Sequence, residues 1–162
     1  NWEGIELFKN FLVPLSAISS VCAILLRFLS TSPLYAIGIG IILFVASVVG
    51  CYITYRIARE YLINKVPQAN RTVLHLAVYS SAVFIPFHCL SSGFSEGFLS
   101  QLMAICSLLC LRTLYVGLNR LTSLDAQYRK SALVIIGLLV IVSPIIIQQL
   151  LMIIFRIPTI YA

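Results

Sequence analysis

Residues 34–55 read LYAIGIGIILFVASVVGCYITY, a stretch of 22 residues without a single charged side chain. A helix needs about 20 mostly apolar residues to cross the hydrocarbon core of a bilayer. The stretch therefore predicts a membrane-spanning helix, and with it the class of the protein.

Four further apolar stretches accompany this one, near residues 11–29, 73–89, 98–118 and 133–155. Strands of a membrane barrel would be about half as long and would alternate in polarity. The sequence therefore predicts an all-α fold, a polytopic membrane helical bundle with five transmembrane helices in a single domain of residues 1–162.

Composition excludes the other broad classes of protein. Apolar residues make up 60% of the chain and charged residues 10%, against about 45–50% and about 25% in soluble domains. The mean hydropathy is +1.04. A soluble fold and a disordered chain are both excluded, and the expected partners are membrane lipids rather than nucleic acid.

Lysine and arginine are distributed unequally between the two predicted faces of the membrane. Nine lie on the face that carries the N-terminus and two on the other, and cytoplasmic loops are the ones that carry such an excess. The sequence therefore predicts a cytoplasmic N-terminus. The nine are Lys9, Arg56, Arg59, Lys65, Arg71, Arg112, Arg120, Arg129 and Lys130, and the two are Arg27 and Arg156.

The first ten residues carry Trp2, Ile5 and Phe8 at a regular spacing of three. Tryptophan favours the headgroup region of a bilayer. We predict an interfacial helix over residues 1–10, with a flexible tail as the alternative.

Arg112 is the most informative single residue, because it lies inside the predicted fourth span. It is six residues from the inner end of that span, or about 9 Å deep at ~1.5 Å per residue. Tyr79 lies at the same depth in the third span, with Ser80 beside it. Two interpretations stay open: Arg112 snorkels to the headgroups, or Tyr79, Ser80 and Arg112 form an internal polar cluster.

Glutamines form a second candidate cluster near the outer face. Gln148 and Gln149 lie in the outer third of the fifth span, and Gln101 lies near the outer start of the fourth. Amides in hydrocarbon seek partners on neighbouring helices. We predict interhelical hydrogen bonds, with the lining of a solute site as the alternative.

Cysteine is expected to serve as a small packing residue. The five cysteines are scattered in depth, and His75 and His88 lie at opposite ends of the third span, about 20 Å apart at ~1.5 Å per residue. No disulfide, metal or cofactor is therefore predicted. A weak outer metal site formed by His88, Cys89 and Glu96 is the alternative.

Small residues follow one face of the second span, and small residues let helices approach closely. We predict that this face packs against another helix, either within one subunit or between subunits. The second alternative would make the protein a homo-oligomer. Pro86 and Pro144 are expected to kink or end their helices. The small residues are Ala36, Gly40, Ser47, Cys51 and Thr54, with Ala46 and Gly50 as a further pair.

Catalytic motifs are missing from the sequence. It contains no H-E-x-x-H, no G-x-S-x-G and no paired acidic motif, and none of its five acidic residues lies deep in a predicted span. Metal-dependent phosphotransfer and aspartyl proteolysis need such groups. We therefore expect no enzyme and no catalytic residue.

Several short segments resemble the Yip family, the Ypt/Rab-interacting membrane proteins. The opening Trp2-Glu3-x-Ile5 resembles the Trp-x-x-Ile of that family, and Pro14-Leu15 resembles the start of its first span. Residues 76–86, LAVYSSAVFIP, are similar to its Tyr-Ser-x-x-Pro third span, and residues 114–118, LYVGL, resemble the end of its fourth. The likeness is to the short bacterial members and implies five spans with a cytoplasmic N-terminus.

The resemblance implies a non-enzymatic protein of the bacterial inner membrane that acts through helix-mediated assembly or lipid organisation. Binding of Rab-type GTPases, which it implies for eukaryotic relatives, is not expected for a chain that resembles the short bacterial members. The alternative is a small oligomeric transporter or channel with a polar path near Arg112 and Gln148.

Overall fold

The computed structural model describes residue 6 and residues 8–29, 32–63, 69–94, 97–121 and 126–155. Every element in these ranges is helical. A π-helical turn over Phe8–Leu12 leads directly into the first α-helix. The helices are α1 (Val13–Arg27), α2 (Pro33–Leu62), α3 (Ala69–Gly93), α4 (Phe98–Ser107), α5 (Leu109–Leu121) and α6 (Ala126–Ile154).

Within these described ranges, five helical segments are long and apolar enough to cross a membrane, which confirms the predicted all-α bundle of five spans. Each is longer than its predicted apolar stretch, because helical hydrogen bonding continues into polar residues beyond it. The segments are Phe8–Arg27, Pro33–Leu62, Arg71–Gly93, Phe98–Arg120 and Gln127–Ile154.

The N-terminal interfacial helix predicted for residues 1–10 lies largely outside the described residues, since residues 1–5 and 7 are not among them. Residues 8–10 belong to the π-helical turn, which continues into α1. The first apolar segment therefore begins at Phe8, three residues before the predicted residue 11.

Local chemistry sets several helix boundaries. The Ser32 hydroxyl accepts the N–H of Tyr35 at 3.4 Å at the start of α2, a typical helix cap. Gly97 precedes α4 with φ at 104°, a left-handed conformation that favours glycine. The fourth span, predicted as one helix, is interrupted at Leu108 between α4 and α5.

Neither internal proline ends its helix, so of the two predicted outcomes termination is excluded. Pro86 lies inside α3 and Pro144 inside α6. Proline removes one backbone hydrogen bond from a helix, and packing against neighbouring helices compensates for the loss in membrane bundles.

The third span is the centre of the bundle, because α3 packs against α1, α2, α4, α5 and α6. The most extensive contact between two helices is that of α2 with α6. Two buried apolar clusters fill the interfaces, one around Leu43 and Val78 and the other around Leu114 and Ile136. The small-residue face of α2 is buried within the chain, which confirms its packing role.

Two ends of the bundle differ in charge. At one end α2 and α5 end and α3 and α6 begin, and we call it the basic end. Its basic residues are Arg56, Arg59, Arg71, Arg120, Arg129 and Lys130. The other end, where α1 and α3 end and α4 begins, is called the opposite end. Between them the outer surface is apolar, with Ile18 64% exposed and Ile146 51% exposed, as a lipid-facing surface requires.

Candidate functional site

The predicted cluster of Tyr79, Ser80 and Arg112 is brought together only in part. Tyr79 is 43% exposed and makes an edge contact with the ring of Phe11 at 5.9 Å between centroids. Ser80 is buried beside it. Arg112 lies exposed on the surface of α5, and among the described residues no hydrogen bond joins it to Tyr79 or Ser80.

Helix geometry explains where Arg112 lies. Cys110, Leu114 and Leu118 are at most 1% exposed and form the buried face of α5. Residues of an α-helix are separated by about 100° each, so Arg112, two positions from both Cys110 and Leu114, lies on the far side of the helix. Equal depth in the membrane was the basis for the pairing, and depth does not fix the rotation of a helix about its axis.

Tyr79 and Ser80 line a cleft between α3 and α5 at the basic end. The Ser80 hydroxyl is buried and has no hydrogen-bond partner within the ranges that the structure describes. The His75 ring contacts the Tyr79 ring at 5.9 Å and pairs through Nδ1 with the carbonyl of Arg71 at 2.8 Å. The cleft is lined by His75, Leu76, Tyr79, Ser80, Thr113, Val116 and Gly117.

Of the three predicted outer glutamines, one is an interhelical partner. Gln148 of α6 is 3% exposed, and His88 Nε2 of α3 donates to its Oε1 at 2.7 Å. The His88 ring also stacks on Phe84 at 5.1 Å. Gln101 is exposed and Gln149 only partly buried. An interhelical hydrogen bond to a glutamine side chain is therefore present, and its partner is a histidine.

Two serines connect α3 to α4 by a reciprocal pair of hydrogen bonds. Ser91 Oγ donates to the carbonyl of Ser100 at 2.9 Å, and Ser100 Oγ donates to the carbonyl of Ser91 at 2.8 Å. Each hydroxyl thus satisfies a polar group of the other helix, near the end of α3 and the start of α4.

Arg27 is the functional candidate that the sequence did not reveal. It is the last residue of α1 and is 0% exposed, and its Nε donates to the carbonyl of Ser92 at 2.7 Å. An arginine at the end of an apolar stretch is expected to extend to the headgroups. Only the packing of α1 against the end of α3 turns this side chain inward.

These contacts make the end of α3 a polar junction of the bundle. Within five residues, His88 binds α6, Ser91 binds α4 and Ser92 accepts from Arg27 of α1. Hydrogen bonds between membrane helices contribute about 0.6–2 kcal/mol each. We call residues 88–92 the α3 junction; it fixes the opposite end of the bundle.

A second cleft lies between α5 and α6 at the basic end. Arg129 Nη1 donates to Asn119 Oδ1 at 2.5 Å, which holds α6 against α5 there. Close by, the rings of Tyr61 and Tyr128 stack at 5.6 Å. The cleft is lined by Tyr115, Asn119, Arg129, Lys130 and Leu133, and we call it the basic cleft.

The thiols and histidines do not converge on a common point. Cys51, Cys89 and Cys110 are buried free thiols, Cys106 is partly buried and Cys22 is exposed. No group of three His, Cys, Asp or Glu side chains suited to a metal occurs in the described ranges. Glu96 of the alternative outer site lies outside them.

Comparison with known proteins adds no relative. No protein-family model, no curated protein and no solved structure matches the chain. The resemblance to the Yip family therefore stays a prediction.

Proposed function

We propose that this integral membrane protein is a non-enzymatic protein of Yip type, in the bacterial inner membrane with a cytoplasmic N-terminus, that organises membrane lipid. The observation that carries the proposal is the location of the two clefts. Both lie between neighbouring spans at the bundle surface, where exposed side chains such as Tyr79 and Tyr115 line them.

The interior of the bundle supports the same function. Buried apolar side chains fill the contacts of α3 with its neighbours, and buried polar groups such as Arg27 and Gln148 are engaged in bonds between helices. Among the described residues, this close packing around α3 favours the lipid-facing surface as the place where a ligand binds.

Lipid analysis of the protein in native nanodiscs tests the proposal. The full chain is extracted from its membrane with a styrene–maleic acid copolymer, and the retained lipids are quantified by mass spectrometry. We expect at least a twofold enrichment of one lipid class over the bulk membrane. A second membrane protein extracted from the same membrane is the control, and a retained composition equal to the bulk would contradict the proposal.

A transporter or channel is the second candidate, and the partly buried, hydrogen-bonded pair of His88 and Gln148 favours it. Ionisable groups within a membrane bundle are often part of a solute path. Arg112, the other end of the predicted path, lies on the outside of α5. Flux of ions or small solutes in proteoliposomes distinguishes the two functions. Flux above protein-free vesicles that is lost in Gln148→Leu would replace the lipid function by transport.

A further inference from the structure

The basic cleft is built in two layers, one polar and one apolar. Asn119 and Arg129 form the polar layer at the rim, together with Lys130. One helical turn deeper in each helix lie Tyr115 of α5 and Leu133 of α6. Four residues of helix rise about 6 Å, so the two layers are separated by about the distance between a lipid phosphate and the start of its acyl chains.

The hydrogen bond within the rim holds one cation in place. Arg129 Nη1 donates to Asn119 Oδ1, which uses one of the five N–H donors of the guanidinium. Its remaining donors make no hydrogen bond to another described residue. A guanidinium with a fixed orientation and several open donors is suited to a phosphate, which it can bind through two parallel hydrogen bonds.

The charged side chains described in the cleft are all positive. Arg129 and Lys130 are the fourth and fifth residues of α6, which begins at Ala126. The N-terminal end of a helix carries a partial positive charge, which adds to that of the two side chains. Among the described residues that line the cleft, none is an aspartate or glutamate.

We propose that the basic cleft binds the phosphate of an anionic phospholipid in the leaflet at the basic end, with an acyl chain against Tyr115 and Leu133. The apolar layer below the cations favours a lipid over a soluble phosphate, because a soluble anion gains nothing from it. Basic pockets between membrane helices on the cytoplasmic side bind lipid head groups in this way. The proposal rests on the proposed lipid function and names its ligand.

The experiment measures lipid binding by the full chain in a neutral detergent. Phosphatidylglycerol and phosphatidylcholine are titrated separately, and bound lipids are counted by native mass spectrometry. The test variant is Arg129→Gln with Lys130→Gln. The matched control is Lys9→Gln with Arg56→Gln, which removes two cations outside the cleft. Monodispersity and helical content are checked for both.

We expect the protein to bind phosphatidylglycerol selectively, and its affinity to fall about 25-fold in the cleft variant. Each cation near an anionic lipid contributes about fivefold in affinity, and the variant removes two. The control should change less than twofold. An equal loss in both variants, or no loss in the cleft variant, would overturn the site. If the double variant does not fold, Lys130→Gln alone must lower the affinity about fivefold while Lys130→Arg retains it.

Two further comparisons show whether the bound phosphate belongs to a lipid, and whether a negative result contradicts the site alone or the lipid function as well. Glycerol 3-phosphate at the same concentration should not displace phosphatidylglycerol, and displacement would overturn the assignment to a lipid. If native nanodiscs show lipid enrichment but the cleft variant binds as the wild type does, the site is wrong and the lipid function stands. If neither enrichment nor selective binding is found, both are wrong.

Discussion

The backbone of Gly50 in α2 lies directly against Pro144 in α6. A Cβ atom added at Gly50 would lie 2.8 Å from both the ring Cγ and the nitrogen of Pro144. Pro144, which interrupts the hydrogen bonding of α6, therefore packs against Gly50, the position where α2 has no side chain. Beside it, the Thr54 hydroxyl donates within α2 to the carbonyl of Gly50 at 2.9 Å and across to that of Leu139 at 3.2 Å, and the contact with Leu139 is a polar one between the same two helices.

Gly50→Ala tests this contact. The added methyl group meets backbone atoms of Pro144, which cannot rotate away, and overpacking of this kind costs about 1–3 kcal/mol. We expect the free energy of unfolding, measured by SDS titration in mixed micelles, to fall by that amount. Val49→Leu, at an exposed neighbouring position, should have almost no effect. A Gly50→Ala protein as stable as the wild type would show that α2 and α6 are not so close.

A double-mutant cycle tests the bond between His88 and Gln148. Gln148→Leu leaves the partly buried His88 N–H without its acceptor, and His88→Leu leaves the Gln148 side-chain carbonyl without its donor. Once both groups are removed, little further cost remains, so we expect a coupling of about 0.6–2 kcal/mol in the free energy of unfolding. Additive effects would mean that the two side chains do not interact in the bilayer.

Arg27 and Arg112 should respond differently to the same substitution. Arg27→Leu removes a buried charge-assisted hydrogen bond to Ser92, a loss of about 1.5–3 kcal/mol. Arg112→Leu changes an exposed residue, and we expect normal insertion and a stability within about 0.5 kcal/mol of the wild type. Unfolding in detergent compares the two proteins. Equal destabilisation would require a buried environment for Arg112 as well.

Cysteine-accessibility labelling tests the predicted orientation, which follows from the unequal distribution of lysine and arginine. In a background without native cysteines, Lys65→Cys and Lys130→Cys should react with an impermeant reagent only from the cytoplasm, and Glu96→Cys only from outside. Replacing the five native thiols by alanine or serine should leave a monodisperse protein. Labelling of Glu96→Cys from the cytoplasm alone would reverse the orientation.

The candidate sites could be predicted from the sequence only at the level of depth. Counting residues along a span placed Tyr79 and Arg112 at one level and Gln148 near the outer face. The same count puts His88 near that face, so its bond to Gln148 could have been found. Counting residues could not show that Arg112 points away from α3. The rotation of α5 about its own axis depends on which neighbouring helices bury Leu114 and Leu118.

The sequence by itself determined the class of the protein, the number of spans and the small-residue face of α2. These depend on local quantities, the length and polarity of each stretch, which hydrocarbon imposes on every helix separately. Only the tertiary structure decided that α3 lies at the centre, that Arg27 turns inward onto Ser92 and that Arg129 and Lys130 line a cleft with α5. Those features depend on contacts between residues far apart in the chain, because apolar helices in lipid choose their partners through close packing and a few polar bonds.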